Sequence, residues 1–212
     1  MIKACIFDFD GVIIDSEKYH HLGWLRVAQA LGVEFSYEEY TPMKSAGRTK
    51  VIPYLFEKAG KTMQPGDMEK YIRIREENID EALALLNEKD ILPGVIDFVK
   101  LLRANGYKLG IASASKNSNK VAKRFGLYDL FDVFVDGEAK RMPKPNADIF
   151  LYTASLLGAE PHECIVFEDS INGVMAAKNA QMKCIGIQTY LTDKADKIID
   201  SFVGADLSLL DF

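Results

Sequence analysis

Short apolar bursts and helical apolar stripes alternate along the second half of this chain. Lys108 to Ala112, Phe131 to Val135, Cys164 to Phe167 and Cys184 to Ile187 are brief, rich in aliphatic residues and bounded by polar ones. Runs of that length and content predict strands buried on both faces. Between them, Val121 to Phe125, Ile149 to Leu157 and Ile171 to Ala180 carry helical spacing. Val95, Phe98, Val99 and Leu102 mark one more helix, with Gly106 placed to end it. Ile2 to Phe7 is a fifth strand of the same kind. Alternating strands and helices predict an α/β fold, a Rossmann-like parallel sheet covered on both sides.

The segment between Asp15 and Asp90 breaks this rhythm. It holds no strand-like run and several helical stripes, one through Trp24, Val27, Ala28 and Leu31, and a longer one through Met68, Tyr71, Ile72, Ile79, Leu83 and Leu86. Ser36 with Glu39 reads as a capping box, and Gly60 to Gly66, with Pro65, as a loop. The organisation expected is an α/β core made of residues 1–14 and 92–212, with residues 15–91 inserted as an α-helical cap. The stretch from Leu191 onward is mixed and receives no assignment.

Composition narrows the class. Of 212 residues 48% are hydrophobic and 27% charged, which excludes a disordered chain. The net charge of −5, without a basic stripe, argues against nucleic acid. No apolar run approaches the ~18 residues of a membrane span, and Asp8 and Asp10 interrupt what would be the apolar stretch of an export signal. Cys5, Cys164 and Cys184 form no CxxC pair and sit in strand-like runs, as reduced, buried thiols would. The expectation is a cytoplasmic, monomeric protein with no nucleic-acid or membrane partner.

Candidate chemistry collects at the ends of the expected strands, where open parallel sheets bind ligands. Phe7-Asp8-Phe9-Asp10-Gly11 closes the first strand, Ser113 the second, and Glu168-Asp169 the fourth, while Lys144 stands between Pro143 and Pro145 before a helix. Carboxylates with one hydroxyl and one ammonium suit magnesium and a phosphoryl group. A carboxylate attacking a phosphate dianion meets like-charge repulsion, which a hard divalent cation relieves. Asp8 and Asp169, with Glu168, are the expected metal ligands, and Ser113 and Lys144 the expected phosphoryl holders. Asp8 as nucleophile would form an aspartyl-phosphate, and Asp10 would pass the proton. To serve as an acid near neutrality, Asp10 needs its pKa raised from about 4 to about 7.

In this order and location, Asp8-Phe9-Asp10-Gly11-Val12, Ser113, Lys144-Pro145 and Glu168-Asp169-Ser170 resemble the four motifs of the haloacid dehalogenase superfamily, to about Ile187. The resemblance implies Asp8 as nucleophile, Asp10 as general acid/base, and Ser113, Ala114 and Lys144 on the phosphoryl group. It also implies Mg2+ held by Asp8, Asp10 (through its backbone carbonyl), Glu168 and Asp169. Asp10 and Asp169 argue against the dehalogenases, which lack the second Asp and need no metal.

Within the superfamily the chain is most similar to the beta-phosphoglucomutase subgroup. Ser113-Ala114-Ser115-Lys116-Asn117 has that subgroup's form, and the resemblance places Ser115, Lys116 and Asn117 on the substrate's distal phosphate. His20, Trp24, Lys44 and Arg48 in the helical segment agree with it, Arg48 reaching the same phosphate. Arg75 and Lys140 are further candidates for the cleft. Asp15-Ser16-Glu17, Gly47 and Val166-Phe167-Glu168-Asp169-Ser170 have instead the form of sugar-phosphate phosphatases. Three activities stay open: a mutase turning beta-glucose 1-phosphate into glucose 6-phosphate, a sugar-phosphate hydrolase, and a sugar-phosphate binder without catalysis. The intact set Asp8, Asp10, Lys144 and Asp169 disfavours the last.

Overall fold

The computed structural model describes residues 1–44, 47–187 and 194–212. Six parallel strands form one sheet in the order β3-β2-β1-β4-β5-β6. They are β1 (Ala4–Phe7), β2 (Lys108–Ala112), β3 (Val133–Val135), β4 (Cys164–Glu168), β5 (Lys183–Ile187) and β6 (Lys197–Ile199). All five expected strands form, and three lie within one residue of their predicted bounds; the first begins at Ala4 rather than Ile2, and the third at Val133 rather than Phe131. The edge strand β6 falls in the stretch that the sequence left unassigned, while Leu191 lies outside the described residues.

Every residue of β1 and β4 is buried, because helices cover both faces of the sheet. Alternate residues serve opposite cores. Cys5, Phe7, Ile111, Ile165 and Phe167 pack against Val95, Phe98 and Leu102 of α5 (Val95–Ala104) and Val121 of α6 (Ser118–Arg124). Ala4, Ile6, Cys164, Val166 and Cys184 pack against Phe150 and Ala154 of α7 (Asp148–Leu157) and Val174 and Ala177 of α8 (Ile171–Asn179). Phe7 stacks on Phe167 with centroids 4.4 Å apart, joining the two central strands on the first of these faces. The three thiols are free and buried as expected, and burial pushes the Cys164 thiol up to about 11.

Between β1 and α5 the chain is helical: α1 (Glu17–Leu31), α2 (Tyr37–Tyr40), α3 (Arg48–Lys58) and α4 (Asp67–Ala84). Gly32, at φ 81°, closes α1 in the left-handed conformation that a side chain would oppose. The capping box at α2 forms as its sequence predicts: Glu39 N donates to Ser36 Oγ and Ser36 N to Glu39 Oε2. Trp24, Val27, Leu31, Val51, Ile52, Leu55 and Tyr71 make a hydrophobic cluster of their own. The long stripe on α4 divides, however. Tyr71 joins that cluster, whereas Ile79, Leu83 and Leu86 pack with the sheet's core. Arg124 of α6 completes the junction by donating to the carbonyls of Leu83, Ala84 and Leu86. These carbonyls lie at and just beyond the end of α4, where a cation is favoured. No helix among the described residues is long and apolar enough to cross a membrane.

The chain leaves and re-enters the sheet through one paired crossing. Ile14 bridges Ile91, and Asp15 N donates to Asp90 O at 2.7 Å. The Asp90 carboxylate secures it, accepting from Lys18 Nζ at 2.7 Å and from Asn87 N at 2.9 Å.

Candidate active site

Strand register assembles the site. Phe7 lies opposite Ile111 on one side and Phe167 on the other, so Asp8, Ser113 and Glu168 emerge together at the carboxyl edge of the sheet. The strand order departs from β1 in both directions, which makes this edge the switch point where such sheets take ligands. Asp8 N donates to Phe167 O at 2.9 Å, and Ser113 N to Val135 O at 2.9 Å, fixing both backbones.

Lys144 is 1% exposed and links two carboxylates: Nζ donates to Asp8 Oδ1 at 2.9 Å and also to Glu168 Oε1. Burial works against the ammonium charge, but Asp8 and Glu168 outweigh it and hold the Lys144 pKa above the ordinary lysine value. The second Glu168 oxygen accepts from Ser170 N and Oγ, both at 2.9 Å. On the far side, Lys44 Nζ donates to Asp169 Oδ2 at 3.0 Å.

One oxygen from each of Asp8, Glu168 and Asp169 lies within 4.8 Å of the others. Burial pushes the Asp8 carboxyl well above its usual value, with Lys144 opposing and Glu168 adding to the effect. Burial likewise pushes Asp169 up to about 8, against the pull of Lys44. Packed carboxylates strained in this way are short of positive charge, the deficit that a hard divalent cation meets. The backbone leaves them room: at Gly11, φ 82°, a Cβ would stand 2.3 Å from Asp169 Oδ2. All-oxygen donors in a cradle that admits only glycine fit magnesium.

The Asp10 side chain stands apart from this cluster. Ser16 Oγ donates to Oδ1, Ser113 Oγ to Oδ2 at 3.3 Å, and His20 Nε2 lies 3.0 Å from Oδ1. Arg75 Nη2 is 3.2 Å from His20 Nδ1, and because guanidinium only donates, Nδ1 accepts and Nε2 carries the proton toward Asp10. Burial raises the Asp10 pKa, but the His20 ring and the two hydroxyls overcome it and leave the carboxyl below its ordinary value. This corrects the expectation of a raised pKa: these donors favour the ionised carboxylate of Asp10.

A cleft of about 380 Å³ opens above Asp8 and Asp10, within the range of small-molecule sites. His20, Trp24, Arg48, Ala114, Ser115, Lys116 and Asn117 line it. Ser113 and Lys144 lie below, on an adjoining smaller pocket. Lys44, expected on the substrate, is 3% exposed and directed at Asp169 instead, because the turn that carries it docks on the core: Asn172 Nδ2 donates to Lys44 O at 3.0 Å. Arg48 is held by Glu76 at 2.5 Å, and Lys116 by Glu138 at 3.4 Å. Of the two further candidates, Arg75 lines the cleft, its guanidinium 4.7 Å from the Trp24 ring centroid, whereas Lys140 is exposed and not part of the lining.

Sequence reasoning missed Glu17, Tyr40, Glu76 and Asp80 in the cleft wall. A signal existed for Glu17. It shares one face of α1 with His20 and Trp24 at i, i+3, i+7, and it is buried with Tyr40 Oη donating to its carboxylate at 2.7 Å. Glu76 left no such trace, being one acid among several on a polar helix.

Comparisons with known proteins agree with this geometry. A family model described as haloacid dehalogenase-like hydrolase matches residues 2–181. The chain is 31% identical to beta-phosphoglucomutase of Bacillus subtilis over 188 residues, covering 88% of this chain and 83% of that protein. It is 35% identical to hexitol phosphatase B of Escherichia coli over 187 residues, covering 87% and 82%. A crystal structure of beta-phosphoglucomutase from Clostridium difficile superposes with a TM-score of 0.91 at 29% identity, covering 99% of this chain and 96% of that one.

Proposed function

The chain belongs to the haloacid dehalogenase-like hydrolase family, and from that premise we propose that it transfers phosphoryl groups on a small sugar phosphate through Asp8, acting as a beta-phosphoglucomutase. The observation that carries this reading is the shared cleft: Asp8 and Asp10 form its floor while Arg48, Ser115, Lys116 and Asn117 stand on its walls. A substrate phosphorylated at either end could present one end to Asp8 and the other to the cations.

Asp8 Oδ attacks phosphorus, the bond to the sugar oxygen breaks, and an acyl phosphate forms on Asp8. Asp8, Glu168 and Asp169, with the Asp10 carbonyl, would hold magnesium, which when bound would supply the positive charge that offsets carboxylate–phosphate repulsion. Ser113 and Lys144 hold the transferring oxygens, Lys144 being already fixed between Asp8 and Glu168. Asp10, kept ionised by Ser16, His20 and Ser113, takes the proton of the sugar hydroxyl that attacks phospho-Asp8. It returns that proton to the leaving oxygen in the next half-reaction, so a cycle that starts from the phosphoenzyme begins with Asp10 as base. Residues 15–91 act as a cap that closes over the cleft and excludes water.

A second reading, a sugar-phosphate hydrolase, draws on the ion pairs that already occupy Arg48 and Lys116. Incubation with magnesium and beta-glucose 1-phosphate, primed with a trace of glucose bisphosphate, separates the two. Glucose 6-phosphate as the main product is expected; inorganic phosphate in its place would establish the hydrolase. Asp8→Asn should lower turnover by at least about a thousandfold in either case.

A further inference from the structure

Arg48 is the first residue of α3 and Glu76 lies midway along α4, so the pair closes the cleft wall between two helices. The Arg48 side chain is 29% exposed and that of Glu76 39%, which leaves both within reach of a ligand. On the neighbouring residue, Arg75 is already engaged with His20 and the Trp24 face. Among the described residues, Glu76 therefore neutralises the one guanidinium lining the cleft that no other side chain engages. A phosphate arriving there must share Arg48 with a carboxylate, or displace it, at close like-charge range. A hydroxyl-bearing sugar end meets no such penalty and can donate to the same carboxylate.

We propose that Glu76 is a specificity-determining residue, a built-in counter-anion that keeps the grip of Arg48 on a second phosphate displaceable and so sets how strongly the cleft distinguishes singly from doubly phosphorylated sugars. This rests on the reading that Arg48 faces the distal end of the substrate. In a mutase, a bisphosphate must release one pose before taking the other, and a clamp with an internal competitor lets go. The Lys116–Glu138 pair is more exposed, at 44% and 63%, and so contributes less.

The test is calorimetric, in an Asp8→Asn background that stops turnover, with magnesium present and glucose 6-phosphate and glucose 1,6-bisphosphate as the two ligands. Glu76→Gln should tighten the bisphosphate on the order of tenfold, equivalent to about 1.4 kcal/mol, and change the monophosphate less than about twofold. Glu76→Asp, which keeps the charge, should leave the ratio of the two affinities near that of the parent. Unchanged or weaker bisphosphate binding in Glu76→Gln, or equal tightening of both ligands, overturns the proposal. Arg48→Ala separates its failure from that of the underlying reading. If this variant weakens the bisphosphate while Glu76→Gln does not tighten it, the counter-anion role alone is wrong. If Arg48→Ala leaves the bisphosphate untouched, the distal assignment of Arg48 falls, and the proposal with it.

Discussion

A Cβ added at Gly173 would stand 1.8 Å from the Glu168 carboxyl carbon, so the first turn of α8 approaches the end of β4 as closely as glycine permits. Glu168 in turn holds Lys144, which holds Asp8. Gly173→Ala should therefore cost about 1–3 kcal/mol of stability by overpacking and lower kcat/KM by roughly a hundredfold or more through a misplaced Lys144. Thermal melts and kinetics check this together; an active variant with an unshifted Tm would show that α8 can move away at no cost. At this scale the sequence was legible where a residue's role follows from its place after a strand. Asp8, Ser113, Glu168 and Asp169 could be read for that reason. Asp10 could be located but not its ionisation, because that depends on Ser16 and His20 at the start of α1 and on Ser113 after β2, donors from two segments far apart in the chain. Lys44 was read as facing substrate since nothing local reveals that its turn docks on α8 and directs the ammonium at Asp169.

Elements declared themselves when their burial was one-sided or complete. The buried strands β1, β2, β4 and β5 and the stripe of α5 show plainly in the sequence, whereas β6, three half-buried residues at the sheet edge, offers no pattern long enough to recognise. The division of the α4 stripe between two cores was hidden for a different reason: period reports that a face is apolar, not which neighbour it meets. Between the sheet and the helical segment, Asp90 secures the crossing. Burial raises its pKa, yet bonds from Lys18, the Asn87 backbone and Tyr19 outweigh this and hold the carboxyl below its ordinary value. A depressed folded pKa means that the contribution is complete above the unfolded value of about 4 and is lost as pH falls through the folded one. Asp90→Asn should thus be less stable than the parent by about 1–2 kcal/mol at pH 7, with the difference shrinking as pH drops below about 4. Denaturant melts across that range decide it; a difference independent of pH would assign the loss to packing rather than to the carboxylate.

The molecule as a whole works only if the helical segment meets the core at the right place, and the contacts that ensure this join residues distant in the chain, where sequence periodicity carries no information. Asn172, at the start of α8, donates to the carbonyl of Lys44, and Lys44 reaches Asp169. Arg124 grips the end of α4 from the other side. The first pair sits beside the acidic cluster of Asp8, Glu168 and Asp169, so it is suited to hold the proposed cap shut, while Arg124 grips the end of α4 and Asp90 secures the crossing. Asn172→Ala removes one hydrogen bond from the closed form, worth about 1 kcal/mol, without touching either hydrophobic core. Closure would then be several-fold less favourable, and water would reach phospho-Asp8 more often. The ratio of free phosphate to phosphoryl group transferred to a sugar hydroxyl should rise by roughly three- to tenfold, with Tm within about 2–4 °C of the parent. Because both products derive from one intermediate in the proposed mechanism, the ratio reports water access and is insensitive to how much enzyme is active. A ratio that does not move would mean that closure is held elsewhere along the interface, with Lys44 and Asp169 as the contact to examine.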